Sequence, residues 1–261
     1  EALFLAGLVA WAFYRSHVPA IETSGGEKYM EMAFINAVVH SPRFPPLDPW
    51  LSGYAISYYY FGYLVAGMLI RLTGISPSIA FNLVVPMTLG MTLVGAFGLG
   101  YDLVGLSGAS RRATRVATGA FTALVLALVG NLSGLVEVGF LRGGGSPRFY
   151  QWLGISELTP DGVCDGAGGA FGAGRTLAEG VSRIAGWIPS RHIWWWRGSR
   201  IIQDNCGEVI HEFPFFSFML GDVHPHVVAL PFVLLVLGVA LAVLAGALAD
   251  RPERPYWSAP W

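Results

Sequence analysis

Charge is scarce in this sequence. Only 13% of its 261 residues are charged, about half the ~25% usual for soluble domains. Lysine is almost missing: fifteen of the sixteen cations are arginine, and the single lysine is Lys28. The formal net charge is −1, so no global basic field exists to gather nucleic acid. Cysteine is equally sparse, with only Cys164 and Cys206, and neither sits in a CxxC or zinc spacing. Dinucleotide-binding GxGxxG, Walker, HExxH and GxSxG patterns are absent, and no internal repeat is visible. These absences exclude a disordered chain and a nucleic-acid binder. They also make an ordinary soluble enzyme a poor fit.

Apolar residues are plentiful instead. They make up 54% of the chain, and the mean hydropathy is +0.53. With 34 glycines and 16 prolines, the composition suits membrane helices with breaks. A membrane-crossing helix needs ~20 mostly apolar residues. Runs that approach this are predicted near 2–14, 58–72, 79–106, 114–131 and 227–249, and the last has no charge across its length. The pattern predicts an all-α polytopic transmembrane helix bundle, one membrane domain over 1–261. The opening apolar run reads as the end of a truncated helix, and DRPERP after Ala249 as a helix exit, so the chain reads as a fragment of a longer protein. Arg111, Arg112, Arg115, Arg251 and Arg254 are the best cytoplasmic candidates. With those inside, two crossings between Ser57 and Arg111 would return the chain to the outside, so either 79–106 is not one plain span, or 130–141 re-enters the membrane, or the charge rule misleads.

A long loop is predicted over 141–221. It carries the glycine runs at 143–145 and 166–174, and three tryptophans, Trp194 to Trp196, amid Arg191, Arg197 and Arg200. Within it, Thr176–Trp187 places Leu177, Val181, Ile184 and Trp187 on one helical face, which suits a helix lying in the headgroup layer. Trp195 and Arg197 are candidate lipid or substrate contacts. Cys164 and Cys206 either form a disulfide or remain two thiols.

Two segments place ionisable groups beside apolar runs, where such groups usually face a cavity and serve a function. The first spans Glu22 to Tyr63. Glu22, Glu27 and Asp48 are its candidate catalytic acids, and Lys28 is a candidate anion partner. Pro45, Pro46 and Pro49 flank Asp48 and stiffen its backbone. A rigidly held carboxylate can act as a general base. Tyr58, Tyr59 and Tyr60 would splay around a helix end, as substrate contacts or as an interfacial aromatic belt. The second segment, Asp222-Val-His224-Pro225-His226, leads into the strongest apolar run. Pro225 suits a first helical turn, and the free amides there suit an anion such as phosphate. Asp222 and His224 are candidate metal ligands and His226 a candidate substrate contact. One Asp and two His are few for a metal centre, and Asp222 could instead cap the helix.

These segments resemble a known family. PPLDPWLSGYAISYYYFGY and EFPFFSFMLGDVHPHVVALPF look like signature stretches of the YYY-domain membrane proteins, named for the tyrosine triplet. GEKYMEMAFINAVV and the AFN at 80–82 also look like that family. It in turn resembles the GT-C superfamily, multi-span glycosyltransferases that use polyprenyl-phosphate sugars. The resemblance implies a GT-C-like N-terminal module in a prokaryotic plasma membrane. It would transfer a sugar from a lipid-linked donor at the outer face, with an acid of the first external loop as base and a divalent metal as a candidate cofactor. The lipid bilayer and the lipid-linked donor would be its partners. The rival reading is a non-catalytic subunit or scaffold of a larger membrane complex, with His224 and His226 ligating a cofactor.

Overall fold

The computed structural model describes residues 1–21, 26–107, 111–130, 132–153, 198–199, 203–204, 207–208 and 210–248. Glu22, Asn131, Cys164, Trp195, Arg197, Cys206 and the 176–187 segment lie outside the described residues. The chain divides into two units, 1–128 with 220–261, and 129–219.

The first unit is a helix bundle. Its helices are α1 (Ala2–His17), α2 (Lys28–His40), α3 (Phe61–Thr73), α4 (Pro77–Leu106) and α5 (Arg112–Leu124), the last continued by a wide π-type turn over Val125–Val129. In the second unit are α6 (Ser133–Leu141), α7 (Pro147–Trp152), a two-residue antiparallel ladder of β1 (Gln203–Asp204) with β2 (Gly207–Glu208), and α8 (Pro214–Leu220). α9 (Pro225–Leu248) returns to the first unit. The class is an all-α membrane bundle, as the sequence pattern predicts.

α4 is the axis. Pro77 in its first turn follows Ser76 in extended backbone, the arrangement in which proline's missing N–H costs least. Its thirty residues span about 45 Å. Small residues let neighbours close on it. At Gly7 of α1, an added Cβ would lie 3.3 Å from the Gly90 Cα. One on Gly100 would lie 3.2 Å from the Gly119 Cα of α5, and one on Gly95 would lie 2.9 Å from the Leu234 Cβ of α9. The order of these contacts runs α1 and α5 antiparallel to α4, and α9 parallel to it. Ala96, Ala123 and Leu234 form a small apolar core there, with Leu93, Phe97, Leu99 and Leu126 packed around it. Leu235, Val236, Val239, Val243 and Leu244 of α9 are exposed, as a lipid-facing side requires.

Among the described residues, three helical stretches are long and apolar enough to cross a membrane: Pro77–Leu106, Arg112–Val129 and Pro225–Ala247. α3 is not among them. Its thirteen residues reach about 20 Å, short of the ~30 Å hydrocarbon layer, and Gly74 at φ 71° ends it. The run at 58–72, expected as a span, is therefore a short helix packed on α2. Removing it from the count restores the alternation that the sequence alone leaves broken. α1 ends, α4 begins and α9 begins at one end of the bundle. Arg111, Arg112 and Arg115 lie at the other.

Candidate functional site

The shared end of α1, α4 and α9 gathers the charged groups. On α2, Lys28 and Glu31 open a stripe continued by Phe34, Ile35 and Val38, all buried. This is helical spacing, with two ionisable residues where apolar ones would be expected. Glu31 is fully buried, and Lys28, Asp222 and Arg15 are exposed by only 4%, 4% and 2%. Two basic and two acidic side chains thus share an interior, where unpaired charge would be very costly.

Hydrogen bonds fix Glu31 and Arg15. The Val223 N–H donates to Glu31 Oε2 at 2.6 Å. Arg15, in the last turn of α1, donates from Nη2 to Asn82 Oδ1 at 2.6 Å. Asn82 Nδ2 in turn donates to the Pro19 carbonyl at 3.1 Å, tying the exit of α1 to α4. Two glycines make room. Gly26 has φ +74°, and a Cβ there would sit 3.1 Å from the Asp222 Cγ and closer still to its Oδ2. Gly221 has φ +69°, and a Cβ there would strike the Arg15 guanidinium. Side chains other than glycine rarely adopt such φ values, so the Gly26 and Gly221 turns are matched to the buried charges beside them.

Burial first, and the Asp222 charge second, push the Glu31 carboxyl up to about 9. Burial first, and Arg15 second, push the Lys28 ammonium down. Glu31 Oε1, Arg15 Nε and Tyr63 Oη are buried without a hydrogen-bond partner among the described residues.

Above the quartet lies a mouth built from Glu27, Tyr58, His224 and His226. The Tyr58 hydroxyl donates to Glu27 Oε2 at 3.2 Å, and His224 Nε2 stands 3.2 Å from the same oxygen. Burial first, and Glu27 second, push the Tyr58 phenol up to about 12, so it stays a donor. His224 Nδ1 meets His226 Nδ1, closer than a normal hydrogen bond. Their rings lie 4.3 Å apart by centroid. The His224 carbonyl accepts the Val227 and Val228 N–H groups, so the backbone of His224 begins α9 and Pro225 occupies its first turn. Asp222 lies before that start. Beneath the mouth, the Phe34 ring contacts Tyr58, Tyr63 and Trp50, each at 5.7 Å.

Residues 1–256 match the profile of DUF2298, an uncharacterised membrane protein family. The chain belongs to the DUF2298 family. No curated protein and no solved structure matches it.

In this DUF2298 chain the two segments singled out in the sequence meet: Glu27, Lys28 and Tyr58 of the first lie with Asp222, His224 and His226 of the second. Tyr59 is 75% exposed and stacks edge-on against Tyr58 at 5.3 Å, while Tyr60 precedes the first turn of α3. Asp48 is placed differently. Its Oδ1 accepts the Trp50 and Leu51 N–H groups at 2.8 and 2.9 Å, and its own N–H donates to the Tyr54 carbonyl at 2.8 Å. It organises its own loop, and Trp50 of that loop covers Phe34. The sequence patterns single out neither Glu31 nor Arg15. The signal for Glu31 was the Lys28/Glu31/Phe34/Val38 stripe, which puts a carboxylate on an apolar helix face. Nothing local marks Arg15, whose burial depends on α4 and on the turn before α9.

Proposed function

We propose that this chain is the catalytic membrane module of a glycosyltransferase, moving a sugar from a polyprenyl-phosphate donor to an acceptor hydroxyl at the membrane face where α1 ends. The observation that carries the reading is the mouth: Glu27 is half-exposed there, with one oxygen held by Tyr58 and His224 above the buried quartet of Arg15, Lys28, Glu31 and Asp222. The two motif segments resemble the YYY-domain membrane proteins, and the resemblance of that family to the GT-C superfamily supports the reaction class. Arg111, Arg112 and Arg115 at the far end support the orientation, since arginine clusters favour the cytoplasmic side. The mouth then faces outside.

The chemistry is a single displacement. The acceptor oxygen bonds to the sugar's anomeric carbon as that carbon's bond to the phosphate oxygen breaks. The electron pair leaves with the polyprenyl phosphate. The acceptor's proton passes to Glu27 Oε1, while Oε2 stays held by Tyr58 and His224. Because two donors orient that carboxylate before the acceptor arrives, little reorganisation is needed at the moment of transfer. The exposed Tyr59 ring and the lipid-facing side of α9 offer the prenyl chain an apolar approach. Lys28 and Arg15, buried against Asp222 and Glu31, brace the mouth from below.

The test is transfer in reconstituted vesicles from a polyprenyl-phosphate sugar. Glu27→Gln should lower turnover by ~10²–10⁴-fold with donor binding kept, the scale of a lost general base. Asp48→Asn, whose amide oxygen can still accept from Trp50 and Leu51, should stay near wild type. Equal turnover in Glu27→Gln and wild type would remove Glu27 from the chemistry. A wild-type chain that binds no lipid-linked sugar would remove the reaction class.

A further inference from the structure

We propose that His224 and His226 hold a divalent first-row transition ion through their Nδ1 atoms, with Glu27 orienting His224 from the opposite edge of its ring. The inference concerns ion binding alone and stands apart from the transfer reaction.

The His224 ring presents its two nitrogens to different partners. Nε2 stands 3.2 Å from Glu27 Oε2, and a carboxylate there calls for an N–H. In neutral His224 the proton therefore sits on Nε2, and Nδ1 presents a lone pair. That lone pair points at His226 Nδ1, and the two nitrogens approach closer than a normal hydrogen bond. The two nitrogens thus converge on one spot at the mouth, where one cation can take a lone pair from each once the rings part to a metal-bonding separation. The Glu27–His224 pairing matches a recurrent outer-layer device: a ligating histidine donates its second N–H to a carboxylate, which sets the tautomer and raises the ligand's basicity.

The surroundings fit an ion. His226 is exposed and His224 half-buried, so the position opens to water and can swing apart to the ~2.0–2.1 Å metal–nitrogen distance usual for zinc. Pro225 between them fixes the backbone that sets the spacing. Imidazole donors select zinc, iron, nickel or copper over calcium or magnesium. Two histidine nitrogens leave further coordination positions, which oxygen donors can fill. Asp222, paired with His224 as a ligand candidate in the sequence, fits less well. It is buried against Gly26, and Arg15 and Lys28 both lie within reach of its charge, where a dication would meet two cations.

The experiment uses the full chain, without a histidine tag, purified in detergent and stripped with a chelator. Co²⁺ alone is titrated in, with visible absorption and metal content as readouts. Wild type should take up one Co²⁺ per chain, with the absorption of a nitrogen-ligated ion. Glu27→Gln should weaken uptake by about 10–100-fold, the cost of losing an outer-layer partner. His226→Ala should weaken it further, and His17→Ala, on a histidine outside the mouth, should leave it unchanged. His226 is at the surface, so its replacement keeps the fold, checked by circular dichroism. A wild-type chain that takes up no Co²⁺ would overturn the inference. So would a His226→Ala chain that binds as tightly as wild type, or a Glu27→Gln loss as large as that of His226→Ala, which would make Glu27 a direct ligand.

Discussion

The two ends of the α4 bundle use the same residue types to different effect. At one end Arg15 and Asp222 are buried with Lys28 and Glu31, and the quartet joins α1, α2, α4 and the entrance to α9. At the other, Arg115 and Asp102 form a pair at 3.4 Å with side chains 30% and 62% exposed, and Arg115 lies 3.9 Å over the Tyr101 ring. Both pairs bridge elements and both read as a cation and an acid beside apolar runs. Burial separates them. An exposed pair contributes little because water already solvates each charge. In a buried set, each member is held by the others, and removing one strands the rest.

The sharpest way to break this contrast is Asp222→Ala. It leaves Arg15 and Lys28 buried with reduced compensation and should cost about 3–5 kcal/mol, read as a loss of thermal stability in detergent. An effect no larger than that of Asp102→Ala would erase the distinction. Next is Gly26→Ala, which forces a side chain into φ +74° and against the Asp222 carboxylate. It should cost roughly 1–3 kcal/mol, measured in the same unfolding assay. Gly98→Ala, where nothing lies within 4 Å of an added Cβ, is the control and should cost nothing, since alanine suits a helix interior better than glycine.

A pH series sharpens the contrast further. The folded state holds the Glu31 proton up to about 9, against an ordinary value of 4.5. Between those values the folded state binds more protons than the unfolded one, so this group makes stability fall as pH rises from about 4.5 to about 9. Glu31→Gln removes that contribution. The melting-temperature difference, wild type minus Glu31→Gln, should therefore decline across that window. A flat difference would mean Glu31 is ionised in the fold. The smallest effect is expected at the far end, where Asp102→Ala should change stability by about 0–1 kcal/mol and salt should blunt even that.

Much of the arrangement was legible in the chain. Val227–Ala249 and Ile79–Leu106 announce themselves by length and lack of charge, because lipid admits no unsatisfied backbone over such a stretch. Pro225 and Pro77 mark two helix starts for a local reason, their fixed φ and missing N–H. The run at 58–72 misled because composition alone does not reveal where a helix begins: Tyr58 to Tyr60 stay outside α3, and the thirteen residues left are too few to cross. Asp48 drew attention through its flanking prolines, yet the same stiff loop turns its carboxylate onto two backbone amides.

Short stretches of the chain already specify a membrane protein of helices, where its longest helices lie, and which two segments carry ionisable groups beside them. These are properties of short stretches, set by periodicity and by the cost of charge in lipid. Only the tertiary structure decided that Glu27 meets His224 and Tyr58, that Arg15 and Glu31 join the buried set, and that Asp48 serves its own loop. Glu31 and Val223 are 192 positions apart and Tyr58 and His224 are 166 apart. Such pairs depend on how α1, α2, α4 and α9 pack together, which hydrophobic periodicity along one segment does not encode.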